Sequence, residues 1–390
     1  MKLTIPFNGQ PDLLGRVNKE KVVEVYGKLT SDPVGGGRPS SASPFVSKGR
    51  LVAAIRETHG YGLKFNYLFN GGCLGNMEYT RWGQRKIRAF LDWLTKIGVD
   101  NITVSIPYLL EVIKKCYPHF EVTVSNIAEV NSIRRAKQWE ELGADAIVLF
   151  DVDMNRSFSL IRKIRKDVRC KLKLIANDDT VNSCALYAYH ALIDTHASQN
   201  HSSSFLIDSC KITCRLRRLN NPILFIRGGW IRPEDAHYYE EAGIDMLKLV
   251  DRTMITEAIV RIVDAYTKGR HEGNLLDLMA HPSVNLLAGR PNILKKIKYY
   301  FRPFTTNIFK LYKAKEVVND FEAYIDNRSL DGFIEFFLKN NCDLMSCEEC
   351  GYCDDVAKRV VKINPEYREK SCRLHRNLLD QVVSGDIFRY

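Results

Sequence analysis

Apolar residues along the chain gather in short runs, and amphipathic stretches fill most of the gaps. Eight runs read as strands: KVVEVYGKL (21–29), LKFNYLF (63–69), NITVSI (101–106), EVTVS (121–125), DAIVLF (145–150), KLKLIA (171–176), ILFIR (223–227) and DMLKLV (245–250). Between several of them the apolar spacing turns helical. RWGQRKIRAFLDWLTKIG (81–98) puts Ile87, Phe90, Leu91 and Leu94 on one face. The stretches 127–143 and 233–243 both stop at glycine, as a helix C-cap does. Eight β-then-α units over about 250 residues predict an α/β fold of the TIM-type (β/α)8 barrel, occupying residues 1–280. A doubly wound open sheet is the alternative. After about residue 280 the β pattern stops. Residues 281–390 therefore read as a C-terminal extension of helices and loops.

Composition adds compartment and partner. The 390 residues are 45% hydrophobic and 26% charged, ordinary values for a globular chain. No apolar run reaches the roughly 18 residues a membrane span needs. The start, MKLTIPFNGQ, lacks the apolar core of a secretory signal. The expectation is a cytoplasmic protein with no membrane contact. Eleven cysteines in a reducing compartment point to metal or iron–sulfur chemistry more than to disulfides. Cys116 and Cys170, alone in their segments, read as plain buried residues. The formal net charge of +11 favours an acidic partner, either RNA or an anionic small molecule.

In a barrel, chemistry belongs to the loops that follow the strands. The first predicted strand leads into TSDPVGGGRPSS, where GGGRPS (35–40) has the makings of an anion nest with Arg38 adding a guanidinium fork. The second leads into NGGCLGNMEYTR, with Cys73. The sixth leads into NDDTVNSCALYAYH, with Asn177, Cys184 and His190. A long excursion then carries DSCKITCRLRRL, with Cys210 and Cys214. The last leads into DRT, with Asp251 and Arg252. Arg81, Arg227 and Arg232 also fall in loops of this face. Several arginines at one mouth suit a dicarboxylate, so Arg38, Arg81, Arg227 and Asp251 are the candidate substrate-binding residues.

Two further segments stand out. NNCDLMSCEECGYCDD (340–355) holds Cys342, Cys347, Cys350 and Cys353 at Cys-x4-Cys-x2-Cys-x2-Cys spacing. Short spacers let four thiolates converge on one centre, either a 4Fe–4S cluster or a structural zinc. The stretch 290–315 interleaves Lys295, Lys296, Lys298, Arg302, Lys310, Lys313 and Lys315 with Tyr299, Tyr300, Phe301, Phe304, Phe309 and Tyr312. Phosphate contacts plus base stacking would use that mixture. A helix docking its aromatic face on the barrel would use it as well.

VYGKL, GGGRPS, FNYLFNGGCLGNMEYTRWGQ, WIRPED and YEEAGIDMLKLVDR, in this order and followed by the cysteine-rich tail, resemble the collagenase-like peptidase family U-32. The family name implies a peptidase. Other members of the family look like oxygen-independent hydroxylases that carry a 4Fe–4S cluster and act on RNA nucleobases or aromatic metabolites. The family's cluster motif ANEACxxxCPxRxxH lies over Ala176–His190, and its later Cys-x3-Cys lies over Cys210 and Cys214. Cys184 takes the second cysteine position, while Thr180 stands where the first is expected. The resemblance thus implies a barrel cluster on Cys184, Cys210 and Cys214, with Cys73 the best candidate for a fourth ligand and Asp178 or His190 weaker ones. Asn177, His190 and Arg252 become the candidate catalytic residues. The leading expectation is a hydroxylase-type iron–sulfur enzyme. A peptidase and a non-catalytic metal-binding subunit with a protein partner are the alternatives. No HExxH or GxSxG motif supports proteolysis.

Overall fold

A computed structural model describes residues 1–202, 207–280, 306–313 and 322–389, and the single positions 297, 301 and 304. Eight parallel strands close into a barrel: β1 (Lys2–Pro6), β2 (Val22–Gly27), β3 (Lys64–Leu68), β4 (Asn101–Val104), β5 (Glu121–Val124), β6 (Ala146–Val148), β7 (Lys171–Ile175) and β8 (Met246–Lys248). The ring closes between the first and last strands, with Leu3 opposite Leu247. This is the TIM-type architecture, and the open-sheet alternative falls.

Seven of the eight runs read as strands contain one. The eighth, 223–227, holds the single helical turn Ile223–Ile226. All four of its side chains are buried. A short, continuously apolar run carries no periodicity to separate strand from buried helix, and Pro222 at its start favours a helical entry. The vacant place in the ring is taken by KLTIP at the N-terminus.

The barrel interior is polar as well as apolar. The Lys173 ammonium donates to Glu24 at 2.8 Å, and the Asn66 and Asn101 amides donate to the same carboxylate at 3.1 and 2.9 Å. Around this layer Ile102, Val122, Val124, Ile147, Leu172 and Leu174 are fully buried. Helices such as Arg81–Lys96 cover the outside, that one capped by Thr80, whose hydroxyl accepts from Gly83 N at 2.9 Å.

Between β7 and β8 the chain makes a long excursion that includes the helices Tyr187–His196 and Ser209–Asn220. The extension closes over it. Helix Pro365–Val383 packs along Ser209–Asn220, and helix Tyr352–Val360 packs on Ile223–Ile226. The extension also contains an antiparallel pair that sequence reading did not expect, β9 (Ala323–Ile325) with β10 (Val361–Ile363). Buried Arg232 pins this part to the barrel, donating to Asn327 Oδ1 at 2.9 Å, Leu330 O at 2.5 Å and Asp331 at 2.5 Å. Phe333 and Phe337 sit in the same apolar cluster as the barrel core. Among the described residues no helix is long and apolar enough to cross a membrane.

Candidate functional site at the barrel mouth

The loops after β2, β6, β7 and β8 meet at one end of the barrel. Arg38 Nε lies 2.5 Å from Asp251 Oδ2, a charge-assisted contact that holds the carboxyl below its usual range although burial opposes this. Next in sequence, Arg252 is 5% exposed. Its Nη2 makes one long contact of 3.5 Å to Ser43, and neither Nε nor Nη1 has a hydrogen-bond partner. Lys28 lies below, paired with Asp32 at 3.0 Å, and burial pulls its ammonium down to about 8. Tyr67 donates to Asp32 at 2.8 Å and Tyr26 to Leu249 O at 2.9 Å. The mouth therefore presents buried positive charge with unmet donors.

The glycine-rich loop is filled from within. Val34 N and Gly35 N both donate to Asp32 Oδ1, at 3.0 and 2.7 Å, and Gly36 N donates to Ser198 Oγ at 2.8 Å. These amides are not free for an outside anion, so the anion-nest expectation gives way to a self-closed turn that aims Arg38. Gly71 brings the Cys73 loop against this turn, since a Cβ there would overlap the Val34 carbonyl.

Asn177 also differs from its expected catalytic role. Its Nδ2 donates to Val250 O and, at 2.9 Å, to Leu278 O, while its Oδ1 accepts from Val250 N at 2.7 Å. With both ends engaged by backbone, it positions the segment that carries Asp251 and Arg252. Arg81 is exposed at the start of its helix. Arg227 turns to the extension, 3.8 Å from Asp354. Neither joins Arg38 and Arg252.

His190 does reach the mouth. Its Nε2 is 3.1 Å from Asp208 Oδ2 and 3.9 Å from Asp194 Oδ2. Burial disfavours its charged form, but the Asp208 contact outweighs this and raises its basicity. Asp194 is pushed up to about 6 by burial. Sequence reading passed over both carboxylates, although Asp194 sits one helical turn after His190 and Asp208 has the sequence signature of an N-cap. It also missed Asp151, just past β6. Asp151 is fully buried, and neither carboxyl oxygen has a hydrogen-bond partner. Burial first, then the nearby Asp178, hold it protonated well above the usual range.

Cys184, Cys210 and Cys214 come into one neighbourhood. Cys210 and Cys214 are one turn apart on helix Ser209–Asn220. Burial pushes the Cys210 thiol up to about 11, and Asp208, then Cys184, Asp194 and Cys214, add to it. Cys214 is raised by burial too and also feels Cys184. Thr180, in the place of the missing cysteine, gives its hydroxyl to Asp178 at 3.0 Å. Cys73 is half-buried, and its sulfur accepts from Gly75 N at 3.4 Å. In the tail, burial pushes Cys353 up to about 11, with Cys342 and Cys347 among the neighbours that act on it. Among the described residues neither thiol group has three sulfurs within 4.8 Å of one another. One zinc would draw thiolates to roughly 3.8 Å apart. A four-iron cluster, which takes each thiolate on its own iron, sets them wider. The three barrel thiols fit such a cluster as donors for three of its irons.

Most of the 290–315 stretch, including Lys295, Lys296, Lys298, Tyr299, Tyr300, Arg302 and Lys315, lies outside the described residues. Phe304, Phe309 and Tyr312 are exposed, and Lys310 pairs with Asp386 at 2.8 Å.

Comparison with known proteins adds the family. The sequence profile of Peptidase family U32 matches residues 41–217. The uncharacterized protease MJ1657 of Methanocaldococcus jannaschii is 29% identical over 352 residues, 90% of this chain and 93% of that protein. Residues 41–217 thus resemble peptidase family U32, and the likeness to the Methanocaldococcus protein runs along most of the chain. The structure of the U32 peptidase Mk0906 shares its fold, with a TM-score of 0.50 at 21% identity, covering 64% of this chain and 93% of the other. The matched segment spans Arg38's neighbouring loop, Asn177, His190 and the thiols up to Cys214. Arg252 and the tail cysteines lie beyond it.

Proposed function

We propose that this chain is a U32-type enzyme that modifies an aromatic metabolite or an RNA nucleobase by oxygen-independent hydroxylation. The barrel mouth is its active centre, with an iron–sulfur cluster on Cys184, Cys210 and Cys214. The observation that carries the reading is the convergence of these three thiols, which a bound cationic centre would stabilise as thiolates against their burial. A cluster with three thiolates supplies one iron open to a Lewis base. The chain's own residues do the rest. The unmet Nε and Nη1 of Arg252 offer buried, charged donors to a carboxylate or phosphate. Arg38 is oriented by Asp251. Protonated Asp151 offers a proton to a substrate acceptor at the mouth. The tail cysteines hold a second, closed centre, a 4Fe–4S cluster or zinc, with a structural task.

Proteolysis, which the name of the Methanocaldococcus relative suggests, has less support. A nucleophilic cysteine needs a depressed pKa, and Cys210, two residues from the His190 partner Asp208, is displaced upward. The deciding experiment is anaerobic purification with iron and sulfide analysis and a visible spectrum. A brown protein with a broad band near about 400 nm, lost in Cys210→Ser, is the expected result. A colourless, iron-free protein that degrades casein would overturn the reading.

A further inference from the structure

His190, Asp194 and Asp208 bring one imidazole nitrogen and two carboxylate oxygens within 4.8 Å of one another. We propose that these three side chains form a binding site for a single divalent first-row metal ion, beside the barrel cysteines but with its own ligands. No part of this inference depends on the hydroxylase reading.

The spacing suits an ion. Donors held about 2.0–2.2 Å from a metal, at angles between octahedral and tetrahedral, stand roughly 3.0–3.5 Å apart. The Nε2 of His190 is 3.1 Å from Asp208 Oδ2 and 3.9 Å from Asp194 Oδ2. Small movements close that set around one cation. His190 and Asp194 are four residues apart on helix Tyr187–His196, so one helix face presents two of the donors.

The second observation is Asp194 itself. Its side chain is 5% exposed, and Oδ1 has no hydrogen-bond partner. A buried carboxylate oxygen without a donor is costly, and a cation satisfies it directly. Asp208 is prepared for the same task. Its Oδ1 is fixed by the Lys211 amide at 2.9 Å, which leaves Oδ2 for the cluster. Such outer contacts are what orient metal-binding carboxylates. Arg38 and Lys211 are the cations that face the group. Arg38 is already matched by Asp251, so once His190 is a neutral ligand Lys211 alone is left to offset the two carboxylates.

The donor set selects the class of ion. Carboxylates suit hard cations and imidazole suits first-row metals such as iron or zinc. Three protein ligands leave further positions for water or for an oxygen of a substrate.

Manganese(II) is the probe, because the cysteine groups compete poorly for so hard an ion. The protein is stripped with chelator, and Mn2+ binding is followed by electron paramagnetic resonance and calorimetry. One Mn2+ per chain is expected in the wild type. Asp194→Asn should weaken it about tenfold or more, as loss of one ligand does, while Cys214→Ser and Cys347→Ser should leave it unchanged. His190→Gln, at a partly exposed side chain, provides the same loss if Asp194→Asn does not fold. Two results would overturn the proposal: no saturable binding in the wild type, or equal affinity in the ligand variants. Loss of Mn2+ in the cysteine variants alone would assign the ion to the thiols and refute the site. The iron and sulfide content of the anaerobic protein reads the cluster separately, so either idea can fail without the other.

Discussion

At the scale of single residues, two buried side chains mark the mouth, the cationic Arg252 and the protonated Asp151. Arg252 and Asp151 both lack partners for polar atoms that water does not reach. Groups of this kind are destabilising unless something binds them. Asp151 makes the consequence measurable. Its folded pKa is raised by burial and by Asp178. Below the unfolded carboxylate range, near pH 4, folded and unfolded chains are both protonated and the residue costs nothing through linkage. As pH rises, the unfolded chain ionises while the folded one keeps its proton, so stability falls until the folded group titrates. Asp151→Asn removes that penalty. The variant should melt with the wild type near pH 4 and about 2 °C above it at pH 8. A difference in melting temperature independent of pH would show that Asp151 is ionised in the folded protein.

Individual elements were legible in the sequence to unequal degrees. β2 to β8 announced themselves, because apolar residues such as Val, Ile and Leu recur between turn signals in each. The run 223–227 misled because its apolar residues have no alternation, and KLTIP was passed over because five residues at a chain start carry little pattern. Nor did the strands announce their polar partnership. Glu24 on β2 and Lys173 on β7 are far apart in sequence and meet only because the ring closes. Both side chains are under a tenth exposed. Lys173→Met would leave the Glu24 carboxylate with amide donors but no cation. Breaking a buried pair in this way costs about 3–5 kcal/mol. The urea midpoint of Lys173→Met should drop accordingly, and adding Glu24→Gln should restore most of it. A single variant as stable as the wild type would mean that the amides of Asn66 and Asn101 suffice for Glu24.

For the whole molecule, the issue is how the extension and the barrel share the thiols. The site was readable where side chains carry a chemical signature. Cys184, Cys210 and Cys214 could be grouped from the family's spacing, and Arg38, Asp251 and Arg252 from their places after strands. It was not readable where direction decides, which is why Arg227 faces Asp354 instead of the mouth. The extension reaches the barrel thiols through helix Pro365–Val383, which lies along the helix bearing Cys210 and Cys214. The tail thiols belong to another surface, where Cys353 feels Cys342, Cys347, Arg156 and Arg227. Burial dominates for each thiol, and the cysteines named among its electrostatic neighbours belong to its own group. We propose that the two groups serve two separate centres. Cys347→Ser should lower tail metal and stability together, because metal binding at a four-thiolate site is coupled to folding. Cys210→Ser should remove the barrel iron and leave the tail metal in place. Metal and sulfide per chain, measured for both variants beside the wild type, decide the matter. If each variant loses all of its metal, the thiols of barrel and extension serve one shared centre, and the extension is a lid that completes the active site.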